Sequence, residues 1–596
     1  MNKINRTTAA SVLFGIALVL CICMGGGGQW YSCIIPVAIA FLSVFVAKKK
    51  FDNINIMFVA VMVFVAIIPL FFTLADKHNA IHEIEKLLCF VVAFLFGLEI
   101  KDEDTIPKYI FLGAAVLAVF GLVCYIGVFS NKEFVFNDRG ILRLQSFLEY
   151  ANTTAVILGM GYFASLKLYG KYLENLISFI ASCILLALYL TVSKAAIPIF
   201  IAVGTVFVGI KKEYADRFIL QNIVCISFAL GIIIFKSFYV ILLITGIAVS
   251  SVVKYKSENL FKIWVVSLLI AVGTFVSVAV YRDYKILETL LKRFDYMQDS
   301  LRLLKDNCFL GIGSGGWRYY QYSVQQSQYN TAYIHNGWLQ FWIENGIVFL
   351  LCLVILFVKT IVSLVKSKSS VLCAVLILAL LHSFIDIDFG FGAMLTILGV
   401  IAGSALANDR KVLAIKPMTI SLVVILCISL SYMTLEYCVR LGFENSYLNK
   451  NNSQALSRAL LLEKICPYDG ELKVSIAALD EKNSSRYIKK ARETSPLNPD
   501  IAETEIDYLL SHSYDGVLDK CRSYIDMAPK QEKTYVKVKH VAQVMLDNGL
   551  CLREEYDEFI RYVDERRTIE GVIDRNDLLE TLWVDRKKKQ HIETDK

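Results

Sequence analysis

Arg293 and His335 stand in one polar, aromatic-rich and glycine-rich stretch, Arg293 to Gly346, of an otherwise largely apolar chain. A guanidinium can clamp phosphate oxygens with two parallel hydrogen bonds, and an imidazole can take a proton from an attacking hydroxyl near neutral pH. His335 lies in Tyr333-Ile-His-Asn336-Gly-Trp338-Leu-Gln340, just before an apolar run. There it fits either proton transfer or plain capping at a membrane interface. Arg293 heads an amphipathic helical pattern through Tyr296, Met297, Ser300, Leu301, Leu303 and Leu304. The pattern runs into Gly311-Ile-Gly313-Ser-Gly315-Gly316, whose N–H groups can approach the same anion or which serves only as a linker. No strand precedes these glycines, which argues against a dinucleotide fingerprint.

Further polar groups recur at the edges of apolar segments. Arg143 opens RLQSFLEYAN, which leads into one such segment, and Lys194 follows Ser193 at a tight junction between two others. Each fits an anion site or a cation that merely snorkels. The turn His382-Ser-Phe-Ile-Asp386-Ile-Asp388 supplies carboxylates that can orient a sugar, pair with the arginines or cap a helix. His78 and His82, with Glu83 and Glu85 behind them, have the spacing of a helical metal pair but not the HExxH pattern. With no further ligand nearby in sequence, an exposed loop pair is the simpler reading.

The elements that must position these residues are membrane helices. Of 596 residues, 56% are hydrophobic and 19% charged, with the apolar residues bunched into long blocks. Candidate segments are 8–24, 30–47, 55–75, 83–100, 108–128, 151–168, 173–192, 195–211, 218–235, 237–253, 260–281, 338–364, 370–387, 391–407 and 418–436. They predict an all-α polytopic bundle of about 12–15 spans. The net charge of +7 comes from short Lys/Arg clusters between these blocks, which set topology rather than a nucleic-acid surface. With a cytoplasmic N-terminus, the clusters at 48–50, 101–108, 167–171, 211–217, 254–256, 366–368 and 410–411 share one side. The loop 129–150, the insert 282–337, the turn at 382–388 and everything after the last span then share the other. The 15 cysteines show no CxxC or Cys/His spacing suited to zinc, and no structural metal or other cofactor is expected. Lys3 and Arg6 precede a long apolar run with no A-x-A-like cleavage site, as in a retained first span.

Four parts follow: an N-terminal bundle over 1–281, a loop over 282–337, C-terminal membrane helices over 338–436, and a soluble domain over 440–596. In the last, amphipathic helical pieces recur between prolines spaced about 30 residues apart, near the tetratricopeptide period. A helical-repeat domain with a protein partner and a plain helical bundle both fit this pattern.

Arg293 and its helix, Phe309-Leu-Gly311-Ile-Gly313, and His335-Asn336 with Leu339, Gln340, Glu344 and Gly346 resemble the signature of the O-antigen ligase / O-antigen polymerase family. The likeness extends to Arg143–Ala155, to Leu190–Ala196 and to His382–Phe389, covering roughly residues 130–400 and leaving out the C-terminal domain. It implies a GT-C-like, metal-independent glycosyltransferase of the cytoplasmic membrane. Such an enzyme moves a glycan from an undecaprenyl-diphosphate carrier to a glycan, lipid or protein acceptor hydroxyl on the outer side. Carried over, His335 is the general base or acceptor-positioning group, and Arg293 binds the diphosphate and stabilises the leaving group. Arg143 and Lys194 complete the anion site, with Asn336, Asp386 and Asp388 as further substrate-binding candidates. Lys194 stands where the family usually has arginine, keeping the charge but losing the bidentate fork. A transporter or flippase of the same lipid-linked glycan is the competing reading; the chain lacks the paired half-chain hydropathy repeat expected of many transporters.

Overall fold

The computed structural model describes residues 3–47, 53–72, 74–100, 104–128, 131–138, 140–234, 239–252, 259–269, 284–409, 416–512 and 514–572. The later parts of the expected segment 260–281 and the terminal KKKQHIETDK lie outside the described residues.

The described residues are all-α apart from one hairpin. The helices of the membrane part are α1 (Lys3–Cys23), α2 (Ile34–Ala47), α3 (Ile56–Ile67), α4 (Lys77–Gly97), α5 (Thr105–Tyr125), α6 (Ala151–Leu168), α7 (Glu174–Leu190), α8 (Ala196–Ile210), α9 (Ala215–Ile234), α10 (Tyr239–Val252) and α11 (Leu260–Leu269). After them come α12 (Tyr284–Asn307), α13 (Trp317–Val324), α14 (Gly337–Lys366), α15 (Ser370–His382), α16 (Gly392–Ala405) and α17 (Lys416–Leu448). Six described helices are long and apolar enough to cross a membrane, among them α14 and α17, and seven shorter apolar helices accompany them. The protein is a multi-pass membrane protein. Its outer surface bears the mark of lipid contact: α14 exposes Val348, Leu351, Ile355, Val358 and Val362, and α17 exposes Ile420, Val424 and Ile428.

At the centre of the bundle α4 lies along α16. Gly399 faces the Phe90 carbonyl so closely that a Cβ there would sit 2.5 Å from the oxygen, and Gly403 meets the Phe94 carbonyl in the same way one turn on. Small residues four apart let two backbones approach where lipid offers no hydrophobic drive for association. This close pairing makes α4, with its buried Glu85 and Lys86, the spine of the fold.

The insert expected as a loop at 282–337 carries two helices, α12 and α13. Arg293 therefore sits inside α12, which begins at Tyr284, rather than at its head. The hairpin β1 (Val135–Asp138) and β2 (Ile141–Leu144) pairs antiparallel with Phe136 opposite Arg143. Alternation in so short a stretch is too weak a signal to have revealed it.

Beyond the bundle, α17 continues as one helix into the C-terminal part, where Val439 and Phe443 join the core of the first helices there. That part holds α18 (Asn452–Ile465), α19 (Gly470–Leu479), α20 (Ser484–Thr494), α21 (Pro499–His512), α22 (Val517–Met527), α23 (Glu532–Asp547) and α24 (Arg553–Glu570). Each packs on the next along the chain, around two separate apolar cores. The stack touches the membrane part at defined points. Ser495 donates to Asp76 Oδ2 at 2.8 Å, and Gln531 donates to the Tyr329 carbonyl at 2.8 Å.

Candidate active site

The start of α6, the end of α7, the start of α14 and the turn between α15 and α16 meet at one end of the bundle. The turn is pinned to α14 because Gly337 N–H donates to the Ser383 carbonyl at 2.7 Å and, at 3.2 Å, to that of Asp386. Asp386 is thereby carried to the centre of a buried polar cluster, with its side chain fully enclosed.

Five groups donate to its two oxygens. Tyr150 OH at 2.5 Å, the Ile387 N–H at 2.9 Å and His335 Nδ1 at 3.3 Å reach Oδ1. Asn152 Nδ2 at 2.7 Å and Arg293 Nη2 at 3.3 Å reach Oδ2. Arg293 also donates through Nη1 to the Ile385 carbonyl at 2.5 Å. Burial alone would raise the Asp386 pKa, but the His335 hydrogen bond and the charge of Arg293 outweigh it and hold the carboxyl well below its usual range. Conversely, burial and then the Asp386 charge push the Tyr150 phenol well above its ordinary value, so it stays a donor.

Arg143 joins through Asn152. Its Nη2 donates to Asn152 Oδ1 at 3.1 Å, the same oxygen that Ser193 Oγ reaches at 2.9 Å, and its Nε donates to the Thr191 carbonyl at 3.1 Å. Arg143, Asn152, Asp386 and then Arg293 and His335 thus form a continuous polar chain. Lys194 follows Ser193 but is exposed and pairs with no described residue. Asp388 belongs to a neighbouring buried set, accepting from His382 Nδ1 at 2.6 Å and from Thr153 at 2.9 Å. Asn336 caps α14, its Oδ1 taking the Leu339 N–H at 3.0 Å.

His335 has φ +58, a left-handed conformation uncommon outside glycine. Its Nδ1 faces Asp386, so a proton on Nδ1 leaves the Nε2 lone pair as the acceptor. The ring lines a small cavity with Glu83, Tyr333, Gln340 and Phe389. Glu83 and Tyr333 also line a second cavity of about 620 Å³, walled by Trp30, Arg318 and Asp469 among others, between the bundle and the C-terminal stack. Lys86, 3% exposed, anchors this junction by binding Glu83 at 2.7 Å and Tyr333 OH at 3.1 Å.

In the glycine run, the N–H groups of Gly311, Ile312, Gly313 and Gly316 are taken by carbonyls of the protein itself. Within α14, Gly346 has φ +80 and breaks the helix. The carbonyls of Ile343 and Glu344 accept instead from the N–H groups of Ile312 and Gly313, each at 2.9 Å, and Ile347 N–H donates to the Cys308 carbonyl at 2.9 Å. The 308–313 segment fills the break, and Gly311 at φ +73 lies against Glu344 where a Cβ would collide with backbone.

His78 and His82 also differ from the expected exposed loop. Both lie in the first turns of α4, and His82 is buried, its Nδ1 2.9 Å from Glu85 Oε2.

Several participants escaped sequence reasoning. Asn152 and Ser193 lie inside stretches singled out for a neighbouring charge, and Tyr150 carries no signal beyond its aromatic class. Lys86 had one: a lysine within an apolar helical run is costly unless paired.

Residues 179–354 match the family model described as O-Antigen ligase. The matched stretch includes Ser193, Lys194, Arg293, His335 and the break in α14 at Gly346, and leaves Arg143, Asn152 and Asp386 outside. No curated protein matches the chain.

Proposed function

We propose, from the O-antigen ligase domain carried by residues 179–354, that this membrane protein is a glycosyltransferase acting on an undecaprenyl-diphosphate-linked glycan. It transfers or polymerises the glycan onto an acceptor hydroxyl at the outer face of the cytoplasmic membrane. In this reading the acceptor oxygen forms a bond to the anomeric carbon as the carbon–oxygen bond to the diphosphate breaks. The hydroxyl proton passes to His335, and the diphosphate leaves with the bonding electron pair.

The observation that supports this most is the shared carboxylate. Asp386 accepts from His335 and from Arg293, so the proton acceptor and the cation for the leaving group are held from one point. Asp386 orients the imidazole so that Nε2 faces outward as a base. Arg293 has five N–H donors, of which the described contacts name two, so donors remain for diphosphate oxygens. Arg143 extends the positive field toward the same carrier. A diphosphate is already a good leaving group, so cations that bind it more tightly as charge develops carry most of the catalysis and the transfer itself needs no metal. Asn336, in this reading, serves by setting the start of α14, and Lys194 by meeting the carrier from the exposed rim. The C-terminal stack serves as a helical-repeat surface for a growing chain or an acceptor protein.

The test is reconstitution of the full chain with a polyprenyl-diphosphate glycan and an acceptor, read as transfer or chain extension. His335→Ala and Arg293→Ala should each lower turnover by roughly 10²–10⁴-fold. Folded variants with full activity would remove the assignment, and carrier translocation without transfer would favour a flippase.

A further inference from the structure

Away from Asp386, a second convergence of side chains joins α4 to α17. His78 Nε2 and His82 Nε2 lie 2.9 Å apart, and Glu436 Oε1 lies 2.9 Å from the first and 3.3 Å from the second. The geometry points to a divalent-cation site, of the class zinc prefers, formed by His78, His82 and Glu436 and clamping α17, the helix that runs on into the C-terminal stack, to α4 of the membrane bundle.

Three features carry this. First, bonds of about 2.0–2.1 Å to zinc put ligand atoms roughly 3.3 Å apart, and one pair here stands at 3.3 Å while the other two, at 2.9 Å, need only a small side-chain adjustment to open to it. Second, the tautomers suit metal. Glu85 Oε2 accepts from His82 Nδ1 at 2.9 Å, which leaves the Nε2 lone pair facing His78 and Glu436, and a carboxylate behind an imidazole is the usual outer partner of a metal-bound histidine. Trp30 stacks on the His82 ring with centroids 4.1 Å apart and fixes its plane. Three electron-rich atoms within 3.3 Å of one another need a proton or a cation among them. Third, Glu436 is fully buried and, among the described residues, its second oxygen, Oε2, makes no well-formed hydrogen bond, with Tyr432 and Cys466 beside the carboxylate. That oxygen is free for a second bond to a cation or to a water on it. His78 and His82 also line the 620 Å³ cavity, which gives an entry path.

Arg440 is the competitor. Its Nη2 reaches Glu436 Oε1 at 2.9 Å, His78 Nε2 at 3.3 Å and Asp469 Oδ2 at 2.7 Å. Asp469 lies in the C-terminal part, so the guanidinium can release the first two groups and remain paired with the third. The ligand set was hidden in the sequence because Glu436 follows the histidines by the whole length of the bundle, and no spacing rule spans such a distance.

The test uses the full purified chain, stripped with chelator and titrated with ZnCl₂ alone. A single zinc per chain is expected, with a raised thermal midpoint and slower proteolysis at the junction of α17 and α18. His78→Ala and His82→Ala should abolish the stoichiometric zinc, and Glu436→Gln should weaken it by roughly 10-fold or more. Arg440→Gln should bind zinc at least as tightly as the parent. Cobalt substitution should give a spectrum without the intense thiolate charge-transfer band, separating this site from the chain's cysteines. Should the histidine variants fail to fold, Glu436→Gln and Arg440→Gln carry the test. Absence of zinc from the parent chain, zinc that survives these substitutions, or a thiolate spectrum would overturn the site and leave a shared proton as the charge among the three atoms. None of these outcomes bears on the transferase reading, which has its own assay.

Discussion

Tyr150 and His335, far apart along the chain, donate to the same oxygen of Asp386, at 2.5 Å and 3.3 Å. The shorter bond comes from a phenol fixed before α6, the longer from the imidazole proposed to move protons. Asp386 is therefore held in place by a group with no proposed part in the chemistry and lent to one that has.

Replacing that carboxylate separates the two duties. Asp386→Asn keeps the shape of the turn but offers the imidazole an amide, whose N–H can favour the wrong tautomer. Turnover should fall by roughly 10²–10⁴-fold, with a smaller change in apparent affinity for the carrier. A steady-state comparison with the parent enzyme checks this; equal turnover would show that the carboxylate does not orient His335.

Tyr150→Phe should be far milder. It removes one hydrogen bond to a charged acceptor, worth about 1.5–3 kcal/mol, and leaves four donors on Asp386. The prediction is a lower thermal midpoint and roughly a 10-fold loss of turnover, with rescue of neither by added carrier. Asn152→Ala, which cuts the link to Arg143, should instead raise the carrier concentration needed for half-maximal rate.

The pH behaviour follows from the direction of the Asp386 shift. A carboxyl held below its usual value gives stability that is fully present above the ordinary carboxylate range and is lost only as pH falls through the lower native value. The difference in thermal midpoint between parent and Asp386→Asn should therefore stay flat from about pH 5 to pH 8 and narrow in stronger acid. A difference that collapses near pH 6 would show that another group governs the cluster.

Gly346→Ala tests the break in α14. At φ +80 the added Cβ is strained and also meets the Phe309 carbonyl. A loss of at least about 1–3 kcal/mol is expected, read as a fall in thermal midpoint, and Gly170→Ala, at φ +78 but with open space around it, isolates the backbone contribution.

The class of fold and several charged residues of the candidate site could be picked out from the chain because both rest on local rules. Apolar runs of membrane length have few other uses, and charges at their ends stand out. What local rules could not supply was pairing across distance. Asp386 was one carboxylate of two until five donors from four segments selected it over Asp388, which His382 and Thr153 occupy. The glycine run could be read as an anion cradle or as a linker because glycine exposes N–H groups and bends freely; the carbonyls that take the Ile312 and Gly313 N–H groups belong to a helix break thirty or so residues on. His78 and His82 looked isolated because their nearest carboxylate partner across the fold is Glu436.

That helix break couples two motions that a polar active site would otherwise allow separately. The segment Cys308–Gly313 follows directly on α12, which carries Arg293, and is stitched to α14, which begins two residues after His335. A displacement of α12 that opened the arginine side to a bulky lipid diphosphate would drag the first turns of α14, and with them the imidazole. On the proposed function, carrier entry and base alignment then become a single mechanical event, so a site caught with its arginine withdrawn would also have its histidine out of line.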